Sequence, residues 1–337
     1  MTQFCNPSMS YAELTLPLPC TKELWFARTA EEFKSRYLKS RAGEAERPPS
    51  LVDLLRDINL LSTTHHHLDI QFAISVYLHG FWSLIWEYRQ LNTVYRPPAE
   101  VSRFNNHPNL LLNSRHAELC RLLQNFQLLT FEWHDMLSAQ ESIVLHLLLM
   151  NLNVSLDDLQ LFSGKEGEEQ ARRIYPTLKS WSESAEARQA LWHAGQILRH
   201  GKLFPPGHLK DFYAVAVHHA ALCLWTHGVV SRASHPAQGP GYGEGVVFLD
   251  GPDAPHVHRF LTFGQGKTAI KRPDVKGGDA AQPAISLLQD LRGCMEVAQE
   301  VLRANFVGGR EGLPLINENI IRLLKQLGNA AWAVGLE

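Results

Sequence analysis

The sequence predicts an all-α fold, a multi-helix array of antiparallel hairpins interrupted by one loop-rich insertion. Three observations point there. Helix start and stop signals recur along the chain with apolar residues spaced three and four apart. Strand-like alternation is too sparse for an α/β sheet. Gly, Pro and Ser gather at 231–245, where the helical pattern breaks.

The elements follow in order. Thr29 and Glu32 have capping-box spacing, in which hydroxyl and carboxylate each satisfy a free backbone N–H, and Phe33 and Tyr37 share the next face. Ser50, after Pro48-Pro49, can cap a helix with Asp53 in its first turn and Leu51, Leu54, Leu55 and Ile58 as its stripe. Leu68–Tyr88 is apolar nearly all round, with Trp82 and Trp86 four apart, and such a helix is expected to be buried on most sides. Leu119, Leu122, Leu123 and Phe126 mark another helix. Ser138 and Glu141 form a second capping box before the apolar run Ile143–Met150, and Ser155 with Asp158 starts a shorter piece.

Between Ser182 and Gly228 the signals predict an antiparallel helical hairpin. Glu183 and Glu186 suit a helix N-terminus; Ala187, Leu191, Ala194 and Leu198 repeat at helical spacing. Arg199 and His200 suit its C-terminal end, and Gly201 a left-handed stop. Pro205-Pro206-Gly207 turns the chain, and Leu209, Phe212, Ala216, Ala220 and Cys223 line a second helix closing at Gly228. Short strands are expected at Val246–Leu249 and Phe260–Phe263, and a flexible stretch at 271–283. Helices resume with Ile285, Leu288, Met295, Ala298 and Leu302 on one face, and a last one follows Asn317 with Ile320, Leu324 and Leu327. The organisation expected is an N-terminal segment with short helices (1–49), a helical core (50–228), the loop-rich insertion (229–284) and C-terminal helices of the same domain (285–337).

Composition narrows the function classes. A length of 337 residues corresponds to about two domains, and 45% apolar residues supply an ordinary globular core. The 32 basic and 34 acidic residues nearly cancel, with no Lys/Arg run, so the basic excess of a free-standing nucleic-acid binder is absent. Five widely spaced cysteines, without a CxxC, make neither a disulfide framework nor a local zinc site; reduced intracellular thiols are expected. No signal peptide is visible at Met1–Ser10, and the most apolar window, Leu68–Trp86, is too polar for a membrane span.

No motif makes a convincing catalytic site. His65, His67 and Asp69 match part of the H-x-H-x-D-H zinc motif of metallo-β-lactamase-type hydrolases, but Ile70 stands where a fourth ligand belongs, and the helical pattern denies the sandwich that motif requires. The bland reading, a polar start to a buried helix, is preferred. Gly264-Gln265-Gly266-Lys267-Thr268 has the end of a P-loop, with Leu261 in place of its first Gly and no helical pattern after it, so an exposed turn is expected. His218-His219 are adjacent and point about 100° apart, unlike a ligand pair on a helix; His256 and His258 lack an obvious third ligand.

One resemblance outweighs periodicity. Pro17–Ala27, "PLPCTKELWFA", followed by Ala30-Glu31-Glu32-Phe33, resembles the "LPLPCSRELWEA…AEEW" stretch of the fungal-specific transcription factor regulatory domain, the middle homology region, with Phe33 where that family often has Trp. The likeness continues at His79–Trp82 and Ser114–Leu119. It is strongest from Leu191 to Gly228, "LWHAGQILRHGKLFPPGHLKDFYAVAVHHAALCLWTHG", and returns at Leu249-Asp250-Gly251-Pro252, Arg259-Phe260, Gly264, Leu313-Pro314 and the closing "LLKQLGNA". The motif positions are Pro19, Cys20, Leu24, Trp25, Trp192, His193, Gly195, Phe204, Pro205, Pro206, Phe212, Tyr213, Trp225, Gly228, Gly251 and Pro252.

The resemblance implies a non-catalytic helical module of a nuclear, RNA polymerase II transcription factor. Its partners are then proteins of the transcription machinery or a related factor, with self-association also allowed. Zinc and DNA contact belong, in that family, to an N-terminal zinc-cluster or zinc-finger segment. No such segment is present here, so a truncated or orphan fragment is expected, with no cofactor in the chain, no direct DNA binding and no membrane. Two alternatives remain: a metal-dependent hydrolase at His65, His67 and Asp69, and a partner-binding scaffold.

Overall fold

The structure, a computed structural model, describes residues 13–40, 47–95, 110–131, 137–234, 245–273, 285–306 and 312–333. The fold is all-α, with fourteen helices among the described residues and one small sheet. The chain divides into two compact units, one ending at Glu141 and the other beginning at Ser142.

The first unit holds α1 (Lys22–Trp25), α2 (Ala30–Ser40), α3 (Leu51–Arg56), α4 (Leu60–Thr64), a 3-10 turn at His65–His67, α5 (Ile70–Tyr95) and α6 (Leu110–Phe131). Its core is aromatic: Tyr77 on α5 stacks on Phe126 of α6 at 5.2 Å and tilts against Phe81 at 5.9 Å. Gly80 admits α3, since a Cβ there would lie 2.6 Å from Leu51 Cδ2. The full capping box forms at Ser50, where the Asp53 N–H donates to Ser50 Oγ (3.3 Å) and the Ser50 N–H to Asp53 Oδ2 (2.8 Å). At Thr29 the reciprocal half is displaced, because Glu32 accepts from the Arg28 N–H at 2.8 Å. The segment before α1 is pinned by its backbone, with Leu18 N–H donating to the Pro49 carbonyl and Asp69 N–H to the Pro19 carbonyl. In this unit α5 buries a stripe (Ile70, Ala73, Ile74, Tyr77, Leu78, Phe81, Trp82, Ile85, Tyr88) and leaves Phe72 exposed, a narrower burial than the near-continuous apolar sequence suggested.

The second unit contains most of α7 (Ala139–Asn153), then α8 (Leu156–Phe162), α9 (Glu168–Ser182), α10 (Ala185–Lys202) and α11 (Asp211–Ser234). Strand β1 (Val246–Phe248), α12 (Pro255–Phe263), β2 (Lys267–Lys271), β3 (Ile285–Leu287), α13 (Leu291–Ala304) and α14 (Leu315–Ala333) follow. The predicted hairpin is α10 and α11. α11 has the length and hydropathy of a bilayer-crossing helix, yet its surface packs on α8, α9, α10, α13 and α14. The sheet order is β1-β2-β3. β1 runs parallel to β2, with Val247 opposite Thr268, and β3 antiparallel, with Ile270 opposite Ser286. Helix α12 is the crossover that a parallel pair requires.

Several expectations are corrected. Phe260–Phe263 is helical, not a strand: Pro255 occupies the first turn of α12, Val257 and Phe260 face inward three apart, and Gly264 ends the helix in the left-handed conformation (φ 72°). Gly201 is not a left-handed stop, since α10 runs on to Lys202; there a Cβ would lie 3.1 Å from Val301 of α13. α11 passes Gly228 and continues to Ser234, because Gly228 is where Leu291 and the Leu288 carbonyl approach it. Ile285 lies in β3, and the following helix begins only at Leu291, capped by Asp290 through the Gly293 N–H. Asn317 lies inside α14. Helix α9, with Pro176 in its interior, has no counterpart among the expected elements. Most of the predicted 231–245 loop and of the 271–283 stretch lies outside the described residues.

The α10–α11 turn is held from α13 and α14. Asn305, just past α13, donates Nδ2 to the Phe204 and Pro205 carbonyls (3.0 Å each) and accepts the Leu209 N–H on Oδ1 (2.9 Å). Its own carbonyl accepts from Gly207 N–H, and Asn317 Nδ2 donates to the Leu209 carbonyl at 2.9 Å. Asn305→Ala strips three such bonds and takes their partner from the part-buried Phe204 carbonyl and Leu209 N–H, at about 1–3 kcal/mol for such a group. The expected outcome is a loss of about 2–3 kcal/mol in urea denaturation, against a few tenths for Arg322→Ala, whose Asn319 contact is exposed.

Candidate functional site

The family-like residues divide between the units. Pro19, Cys20, Leu24 and Trp25 lie in the first: Cys20 bridges to Leu68, Leu24 is buried and Trp25 is exposed. The others lie in the second, and most gather on the α10–α11 hairpin and the segment crossing it. Trp192 and His193 are buried on α10. Phe204 packs on Tyr213 at 4.8 Å, and Tyr213 meets Phe212 edge-on at 5.4 Å. Pro205 and Pro206 form the turn, their carbonyls accepting from Asn305 Nδ2 and hydrogen-bonded to His208 Nδ1 respectively. Trp225 packs on Phe162 at 5.8 Å; Pro252 is exposed.

The densest geometry is a clamp of α10 on residues 249–251. A Cβ at Gly195 would lie 2.3 Å from the Leu249 carbonyl oxygen, so backbone crosses backbone here and only Gly fits. Gln196 Nε2 donates to the Leu249 and Gly251 carbonyls (2.8 and 2.9 Å), and Arg199 Nη1 to Gly251 (3.0 Å). Lys202 Nζ pairs with the Asp250 carboxylate and donates to the Lys271 carbonyl. Asp250, nearly fully buried, also accepts the Lys271 N–H. Arg188, at the other end of α10, donates to the Leu261 and Thr262 carbonyls closing α12. None of Gln196, Arg199, Lys202, Arg188, Asn305 and Asn317 was read as a site residue from sequence, where Arg199 stood only as a helix-end cation and Asn317 only as a helix start; the spacing of Gln196, Arg199 and Lys202 on one helix was the signal available.

Histidines are concentrated in the same unit. His146 Nδ1 lies 3.1 Å from His193 Nδ1, so one nitrogen donates and the other accepts, and the pair is neutral. His146 also stacks on His200 at 5.5 Å. Burial holds His193 near 3 and His200 near 4, with Arg199 adding to the second; it holds His146 well below the usual imidazole range, with His193, His200 and Arg199 adding to it. Burial likewise holds His218 near 4, His219 near 3 with His218 beside it, and His227 near 4 despite a Ser182 backbone contact. Cys223 and Cys294 are buried, and burial pushes both thiols up, the second to about 12.

The metal candidates do not assemble. His65 and His67 lie on the 3-10 turn; His65 Nδ1 contacts the Ser62 carbonyl, and Asp69 accepts the Phe72 N–H at the start of α5. His258 Nε2 lies 3.0 Å from Oδ1 of exposed Asp253. Among the described residues no group of three His, Cys, Asp or Glu side chains is arranged to hold a metal ion. In the P-loop-like segment a helix precedes Gly264 and strand β2 follows, the reverse of a phosphate-binding loop.

Comparison with curated proteins adds what the geometry lacks. A transcription factor of Zymoseptoria tritici is 24% identical over 89% of this chain, and transcription factor 1 of Elsinoe fawcettii 24% over 91%. The transcription factor PfmaH of Pestalotiopsis fici is 21% identical over 73%. The chain is similar to fungal transcription factors. It spans about a third of the length of the first two relatives (34% and 33%). No family model matches it. No solved structure matches either.

Two outcomes are expected. Gly195→Ala should cost about 3 kcal/mol, the upper range for overpacking, whereas Gly207→Ala should cost about 1 kcal/mol, since its Cβ meets open space and only its φ of 75° resists; urea denaturation compares them. The histidines make the second unit acid-sensitive. Their folded values lie below the unfolded value of about 6.5, so the stability they contribute is present above pH 6.5 and is lost as pH falls toward 4. The two fully buried rings, His193 and His219, each contribute about 1.4 kcal/mol per pH unit in that window. Denaturation between pH 7.5 and 5 should show the fall, and His219→Leu should flatten it.

Proposed function

We propose that this chain is a non-catalytic regulatory module of a fungal transcription factor, of the middle homology region type, acting in the nucleus. The observation carrying the reading is the similarity to curated transcription factors over most of the chain. The clamp supports it, because family-like positions Gly195 and Gly251 serve there as packing elements, the first against Leu249 and the second through its carbonyl to Gln196, rather than as an acid–base or nucleophilic pair. The near-balance of 32 basic and 34 acidic residues supports a role without direct DNA contact by these residues. Among the described residues no three His, Cys, Asp or Glu side chains are arranged to hold zinc.

A helical array regulates when a partner or effector binds one packing better than another. The clamp is an element that can do this: its release would free the 249–271 segment from α10. The test is a reporter assay with the chain fused to a heterologous DNA-binding segment. Several-fold altered output is expected, with the Gly195→Ala fusion, at equal protein level, departing from the wild-type value. Output equal to that of the DNA-binding segment alone would falsify the reading.

A further inference from the structure

A cavity of about 320 Å³ lies between α13 and α14, at the lower end of the roughly 300–1,000 Å³ of small-molecule sites. From α13 it takes Glu296, Gln299, Glu300 and Arg303, which recur at three and four along one helix face. From α14 it takes Lys325 and Asn329, four apart. Met295 is the one apolar side chain of its lining among the described residues. The two carboxylates already have cationic partners. Arg272, just past β2, pairs with Glu296 at 3.0 Å and with Glu300, and Arg292 Nε donates to Glu296 at 3.2 Å. The donors are less well served. Gln299 is 6% exposed; its Oε1 accepts from Arg303 Nη2 at 3.3 Å, and its Nε2 has no partner among the described residues. Arg303 makes no other bond among them, and Lys325 and Asn329 make none.

We propose that this cavity binds a small oxyanion, a carboxylate or phosphate compound, held by Arg303, Lys325 and the Gln299 amide. Three observations select that chemistry. The first is the surplus of donors: a guanidinium carries five N–H groups and an ammonium three, and here one of them is spent on a protein acceptor. A carboxylate or phosphate offers several acceptor oxygens to such groups in charge-assisted hydrogen bonds. The second is charge. Arg272, Arg292, Arg303 and Lys325 outnumber Glu296 and Glu300, so the site is net positive and disfavours a cation. The third is the lining, where Met295 alone would meet an apolar ligand. Gln299 sets the depth of the site, because a buried amide N–H requires an acceptor and the oxyanion supplies one. The inference does not depend on the transcriptional reading.

The test is isothermal titration calorimetry of the 337-residue chain at pH 7.5 and low salt, with citrate and inorganic phosphate as separate probes and glycerol as the neutral control. Saturable one-site binding of at least one oxyanion is expected, with Kd below about 1 mM, and none of glycerol. The tighter probe distinguishes a carboxylate from a phosphate ligand. Arg303→Ala and Lys325→Ala should each weaken that probe at least tenfold, with far-UV circular dichroism unchanged, since both side chains are exposed. Lys179→Ala, which removes an exposed cation from α9, should leave the affinity unchanged. Absence of saturation by either oxyanion up to about 10 mM overturns the proposal. So does binding indifferent to the Arg303 and Lys325 variants, or binding weakened equally by Lys179→Ala, which marks a general response to surface charge.

Discussion

The second unit depends on one close approach, the Leu249 backbone lying against α10 at Gly195. Glycine inside a helix costs about 1 kcal/mol relative to alanine, and here it removes the side chain that would hold two backbones apart. The approach takes the Leu249 and Gly251 carbonyls out of water, and buried carbonyls require donors. Gln196 and Arg199 supply them, and Lys202 neutralises the buried Asp250 beside them. Residues 195, 199 and 202 recur at four and three, so a single helix face provides the space, the donors and the counter-charge. Because Asp250 also takes the Lys271 N–H, the end of β2 is tied to the same patch. The sheet and α12 are thus tied to α10 at this patch, while α13 packs on β2 and β3.

The same hairpin is closed at its turn by side-chain amides. Asn is suited to this, with two donors and an acceptor on one rigid plane. Asn305 uses both functions, bridging residues on either side of Pro206, and so couples the end of α13 to the start of α11. Gly201 and Gly228 allow α13 and the segment before it to lie close on the hairpin. The neutral histidines belong to this packing. A ring such as His193 fills core space like an aromatic while one nitrogen meets His146, and burial disfavours a charge on either ring.

Much of this fold was legible in the sequence where local signals act alone. Ser50 with Asp53, Ser155 with Asp158 and the Pro205-Pro206-Gly207 turn are short-range chemistry, and they stand where spacing places them. The failures at the two glycines share a cause, tertiary contact overriding local preference. Gly201 and Gly228 have the composition of stops, but neighbouring helices use the missing side chain and the helices continue. Phe260–Phe263 has strand composition, yet Pro255 and Gly264 bracket a helix whose inward pair is Val257 and Phe260. α9 escaped because Pro176 reads as a breaker. Of the site, Gly195 and Gly251 were visible through family likeness. Gln196, Arg199 and Lys202 lie in the same family-like run, but their role as donors was not legible, because a donor is recognised only once the carbonyl it meets, about fifty residues away or more, has been placed.

The fate of the cationic side chains argues about function as well as fold. In the second unit Arg188 serves the end of α12, Arg199 the Gly251 carbonyl and Lys202 Asp250, while Arg272 lies between Glu296 and Glu300 of α13. Arg172 and Arg173 pair along α9 with Glu168 and Glu169. A nucleic-acid interface needs cations clustered on one face and free to replace counterions on phosphate. Cations engaged with carbonyls and carboxylates of their own unit meet neither condition without first giving up the contacts that hold the insertion in place. These six cations are thus paired locally, while large apolar side chains stand exposed in both units, Trp25 and Phe26 in the first and Phe263 and Leu315 in the second.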